Sequence, residues 1–88
     1  MPRYIIERTV GQLTPEEIEA GSRKSIEVVD SMPGVVWVRS YISHAEGKIY
    51  CEYDAPDEEA VREHARRAGL PVDRISEVSL EISPAMFR

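Results

Sequence analysis

The chain has 88 residues, a net charge of −5, and 42% hydrophobic against 31% charged residues. That length carries a single domain, 1–88, with a modest core, and cannot combine a nucleotide-binding unit with a separate substrate domain. The composition excludes a disordered or fibrous chain; the apolar runs are too short to span a membrane; and the acidic balance argues against nucleic acid, whose phosphates need a clustered basic surface.

Arg3 to Val10 alternates and is rich in β-branched and aromatic types, which predicts a first strand interrupted by Gly11. Thr14-Pro15-Glu16-Glu17 follows, an N-cap hydroxyl, a proline at the first helical position and a glutamate at the third. This capping box predicts a helix running to about Met32 and stopping at Pro33-Gly34. Its inward stripe is Ile18, Ser22, Ser25, Val29 and Met32. Gly21, Ser22 and Ser25 make the first half of that face small, so the helix either sits close on the sheet or leaves room for a ligand beside it.

Val35 to Ser43 and Lys48 to Asp54 predict strands two and three, joined by a short hairpin loop, His44-Ala45-Glu46-Gly47. A second helix starts near Pro56 or Asp57 and stops at Gly69, Leu70 and Pro71. From Arg74 to Ser83, Val78, Leu80 and Ile82 alternate with Glu77, Ser79 and Glu81, the pattern of a final amphipathic strand. The order βαββαβ predicts an α+β, ferredoxin-like fold, a four-stranded antiparallel sheet with two helices on one face. Right-handed crossovers put strands one and three in the centre.

Alternation then divides the strands. If Val78, Leu80 and Ile82 face the helices, so do Val36, Val38 and Ile42, with Tyr4 and Ile6, and with Ile49, Cys51 and Tyr53. Glu7, Trp37, Arg39, Tyr41, Tyr50, Glu52, Glu77 and Glu81 fall on the uncovered face. That set is too aromatic for plain solvent surface and too charged for a core. It suits an interface, and two copies are expected to pack sheet against sheet, burying Trp37 and Tyr41 with Arg39 paired to a glutamate and Tyr50 alongside.

On the helix side, Ala60, Val61, His64, Ala65 and Ala68 share the inward stripe of the second helix, so His64 and the only cysteine, Cys51, approach the same core. Three readings are open: a metal site, in which imidazole, thiolate, carboxylate or phenolic oxygen bind a divalent transition metal; catalysis, with His64 as base and Cys51 as nucleophile; or two filled core positions. No C-x-x-C or H-x-x-x-H spacing selects the first, and no oxyanion-hole glycine turn selects the second. The basic cluster Arg62, Arg66 and Arg67 shares its helix with Glu58, Glu59 and Glu63 and reads as a solvated face. A charged amino terminus without a secretory leader, and a single free thiol, suit the cytoplasm.

Several blocks carry a resemblance that runs nearly end to end: Tyr4-Ile5-Ile6-Glu7-Arg8, Leu13-Thr14-Pro15-Glu16-Glu17, Trp37-Val38-Arg39-Ser40-Tyr41, Lys48-Ile49-Tyr50-Cys51-Glu52-Tyr53, Ala55-Pro56-Asp57-Glu58-Glu59, and Glu63-His64-Ala65-Arg66-Arg67-Ala68-Gly69. On these the chain resembles a family of small bacterial ferredoxin-like proteins described as nickel-binding or nickel-responsive. The resemblance implies a βαββαβ fold that associates through its sheets, and nickel or another divalent transition metal as ligand. A metal would take His64, assisted by Cys51 or by Glu7 or Glu52. The alternative is a dimeric α/β-barrel type of enzyme or binding protein. It would hold a small, partly apolar molecule between sheet and helices, with Tyr4 and Tyr53 lining the pocket and His64 moving a proton.

Overall fold

The computed structural model describes all residues, 1–88. Its elements are β1 (Arg3–Thr9), α1 (Pro15–Asp30), β2 (Val36–Ser43), β3 (Lys48–Asp54), α2 (Glu58–Ala68) and β4 (Arg74–Glu77), with a short 3₁₀ turn at Pro84–Met86. The strands form one antiparallel sheet ordered β2-β3-β1-β4, so β1 and β3 are central as expected, and the fold is ferredoxin-like. The core lies between the sheet and the helices, around Tyr4, Ile6, Val35, Cys51, Tyr53, Ala55 and Val61.

Local chemistry sets the helix ends. The Thr14 hydroxyl accepts from the Glu17 amide at 3.1 Å while the Glu17 carboxylate accepts from the Thr14 amide at 2.9 Å, the reciprocal bonds that the sequence predicted. Thr14→Ala removes the first of these and is expected to cost about 1 kcal/mol, read as a lower urea midpoint. At the other end α1 stops at Asp30, two residues early, because Ser31 caps it, its hydroxyl donating to the Val28 carbonyl at 2.7 Å. Helix α2 begins on the Asp57 side chain, which accepts from the Ala60 amide. It ends on Gly69 at φ 70°, a left-handed conformation that glycine adopts without strain.

Two expectations about the faces are corrected. In β2 the pairing runs Trp37↔Tyr53 and then Arg39↔Glu52, so Val38 is an extra residue in a β-bulge. The bulge reverses the parity before it. Trp37 therefore shares the helix-side face with Tyr53, and Val36 turns to the open face, where it is exposed. Arg39 and Tyr41 stay on the open face, opposite Glu52 and Tyr50. Trp37 accordingly leaves the set of open-face residues.

The second correction concerns β4, which ends at Glu77 instead of Ser83. Its register, Tyr4↔Glu77 and Ile6↔Ile75, places Glu77 and Ile75 on the helix side and turns Val78 the other way. Continued, that register sets Ser79 against Pro2, which has no amide hydrogen. The last bond is from the Val78 amide to the Arg3 carbonyl at 2.8 Å. Beyond it Leu80 and Ile82, expected to face the helices, are 77% and 66% exposed.

Candidate functional site

Three inward positions of β1 are Tyr4, Ile6 and Arg8, all buried. Arg8 is the surprise. Its side chain is 0% exposed in the gap between α1 and the sheet, where an apolar residue would be expected. Nη1 donates to the Pro71 carbonyl at 2.8 Å and Nε approaches the Cys51 sulfur at 3.5 Å, a weak acceptor. Nη2 has no partner, and Arg8 belongs to none of the chain's ion pairs. A buried cation without a counter-charge costs on the order of several kcal/mol, so the fold holds this group against its own stability.

Beside it lies a polar knot. The Ser25 hydroxyl of α1 is 3.2 Å from the Tyr53 hydroxyl of β3 and 3.2 Å from Nε2 of His64 on α2, so one small side chain joins three elements. The Tyr53 and His64 rings also pack at 4.8 Å between centroids, tilted by 52°. Nδ1 of His64 has no partner. Burial pushes the Tyr53 phenol up, with the Ser25 bond and the Arg8 cation opposing.

Burial likewise pushes the His64 imidazole below its ordinary value; the backbone of Ser25 opposes this and the Arg8 cation adds to it. The folded protein therefore holds His64 neutral. As pH falls through 6.5 the unfolded chain takes up this proton first. The stability due to the neutral imidazole is thus complete above that pH and drains away as pH falls toward the lower folded value. Midpoints of urea unfolding are expected to fall over this range, and His64→Gln, which cannot titrate, is expected to flatten the dependence. Asp54, whose carboxyl is held below its ordinary 3.8 by the hydrogen bond and charge of Arg3, acts only at more acid pH.

Ser25, Tyr53 and Arg8 border a cavity of about 160 Å³ between α1 and the sheet, which His64 does not line. Arg8, Ser22, Ser25, Trp37, Cys51 and Tyr53 are among its walls, and nine of fifteen lining residues are hydrophobic, so it suits an apolar body with few polar groups. The small residues of α1 make the space: Gly21 and Ser22 line it too, and a Cβ added at Gly21 would meet nothing within 4 Å. Trp37 reaches the cavity only because of the bulge, its indole N–H donating to Ser40 Oγ at 2.9 Å.

The expected site residues divide. Tyr53 lines the cavity, but Tyr4 does not; its hydroxyl faces Glu77 at 3.4 Å. Cys51 and His64 both lie on the helix side, as expected, yet they share no hydrogen bond: the thiol meets Arg8 and the imidazole meets Ser25. Glu7 and Glu52 are on the opposite face of the sheet, paired across strands with Tyr50 and Ile5. The four candidate metal ligands therefore do not converge, and no three His, Cys, Asp or Glu side chains of the chain are placed to hold a metal ion. A metal at Cys51 would also sit beside the Arg8 guanidinium. The donors within one chain do not fit a metal centre.

Arg8 had a legible signal. The alternation that sends Tyr4 and Ile6 inward sends Arg8 inward as well, two residues on. No helix of the chain is long and apolar enough to cross a membrane.

The backbone resembles two solved structures. The crystal structure of SCO4226 from Streptomyces coelicolor A3(2) matches with a TM-score of 0.81 and 25% identity, over 91% of this chain and 99% of that one. A structural genomics protein, YJCS, matches with a TM-score of 0.54 and 18% identity, over 92% and 100%, and shows the fold alone. No curated protein matches. The family model described as nickel responsive protein SCO4226-like matches residues 4–78, most of the chain and every strand and helix from β1 to β4; the chain belongs to that family.

Proposed function

We propose that this protein binds a small, partly apolar molecule in the cavity between α1 and the sheet. The observation that carries this reading is the cavity itself: small residues on one wall, Trp37 and Tyr53 on the others, and a buried polar group with unused hydrogen-bonding capacity. The chemistry favoured is binding. A nucleophile would need Cys51 and His64 in contact, and each has a different neighbour. Screening small apolar fragments, charged and uncharged, by amide NMR is expected to move Ser22, Ser25, Trp37 and Ser40 together. Shifts scattered over the surface, or none, contradict the pocket.

The family description favours a second reading, a response to nickel. Because one chain does not assemble the donors, nickel would need ligands from two copies. Two copies in the cytoplasm would pair through the open face, where Arg39, Tyr41 and Tyr50 stand together and Tyr41 is 54% exposed. The unpaired stretch after Val78 also offers Leu80 and Ile82 to a neighbour. Calorimetry at neutral pH with nickel, copper and zinc, on the native protein and on His64→Ala, tests the metal. Heat lost in the variant supports a His64 site, and no heat with any metal removes it. Sedimentation at micromolar concentration tests the pairing, which a monomer would refute.

A further inference from the structure

Of the groups bordering the cavity, one is unexplained by packing. Arg8 is fully buried and lines the cavity. Its Nη2 makes no hydrogen bond, the nearby Tyr53 phenol is neutral, and the two bonds it does make, to a carbonyl and a thiol, supply no charge. Buried cations are retained where something pairs with them, and a guanidinium's forked donors match the two oxygens of a carboxylate. The only carboxylate in the cavity wall is Glu17, an exposed residue of the first turn of α1 that accepts from the Thr14 amide.

We propose that the missing counter-charge is the ligand's. The cavity takes a small monocarboxylate, its carboxylate reaching Arg8 by displacing the side chains that seal the guanidinium from water here, and its hydrocarbon body lying along Trp37, Ile49 and the Gly21–Ser22 face of α1. This rests on the pocket reading and adds the ligand's charge and class. One negative charge is specified because Arg8 is the only cation in the lining, and no other basic side chain is available to share a phosphate. A hydrocarbon body is specified by the hydrophobic majority of the walls. The length is limited by a cavity of about 160 Å³, which holds a short chain or a single ring. Ser25, already shared by Tyr53 and His64, would hold the wall beside Arg8 in shape.

The single tryptophan lines the cavity and serves as the probe. Straight-chain carboxylates from butanoate to octanoate, and the matching uncharged alcohols, are titrated into the full chain while Trp37 emission is followed. The best acid is expected to bind at least tenfold more tightly than its alcohol, a difference of about 1.4 kcal/mol. In Arg8→Met, acid and alcohol should bind alike. Arg8→Lys, which keeps the charge and loses the fork, should retain a reduced preference. Circular dichroism confirms that each variant is folded, and the comparison within native protein stands even if a variant is not. Acids and alcohols that bind native protein equally well overturn the carboxylate assignment and leave the pocket intact. A preference that persists in Arg8→Met overturns the role of Arg8. If neither series perturbs Trp37, the pocket and the carboxylate both fall.

Discussion

Ser25→Ala is expected to lower the unfolding free energy by about 2–4 kcal/mol, a large share of the stability of a domain this size. The lost oxygen contributes little by itself. What matters is what it leaves behind: the Tyr53 hydroxyl loses the Ser25 oxygen, and His64, whose Nδ1 is already unpaired, loses the hydroxyl at Nε2. Both groups are buried, and each costs about 1–3 kcal/mol when unsatisfied. The loss should appear as a lower urea midpoint at unchanged slope. Ser25→Thr, which restores the hydroxyl beside a cavity with room for a methyl group, should recover most of it. A Ser25→Ala loss under about 1 kcal/mol would show that water or a moved side chain satisfies Tyr53 and His64 instead.

Arg8→Met runs the other way. Replacing a buried charge group with a hydrophobe of similar length is expected to stabilise the protein by about 1–4 kcal/mol. A domain of this size gains about 4–8 °C in melting temperature for each kcal/mol. The hydrogen bond that disappears ends on the carbonyl of Pro71, an exposed residue, where water can take its place. Arg8→Met should therefore be more stable than the native protein and unable to distinguish an acid from an alcohol, a trade of function for stability. A destabilised Arg8→Met would mean that the bond to Pro71 outweighs the buried charge, and that Arg8 serves to fasten the loop after α2.

Where the sequence was legible, the reason was local. Thr14 with Glu17, Asp57 with Ala60, and Gly69 each settle a helix end within a few residues, and those ends stand. The central position of β1 and β3 follows from chain order and handedness alone. The cavity was legible in part, because Gly21, Ser22 and Ser25 mark a thin helix face that either closes or leaves space, and here it leaves space.

The misses were not local. One inserted residue, Val38, reverses the face of everything before it in β2, so Trp37 moved from the open surface to the cavity. The alternation of Val78, Leu80 and Ile82 is a true strand pattern, but a strand needs a neighbour, and past Arg3 the next partner is Pro2, which has no amide hydrogen to carry the ladder on. The candidate metal set mixed both faces because side-chain chemistry, and not strand parity, selected Glu7 and Glu52. At Arg8 two signals conflict: strand parity sends it inward, whereas an arginine's charge favours solvent, and here parity wins.

A crystal structure of the full chain grown with hexanoate tests most directly whether the space beneath α1 is a ligand site. The expected result is hexanoate in the cavity, both carboxylate oxygens within hydrogen-bonding distance of the Arg8 guanidinium and the hydrocarbon chain against Trp37. A cavity closed by its own side chains, with Arg8 paired to a carboxylate of the protein, would contradict it.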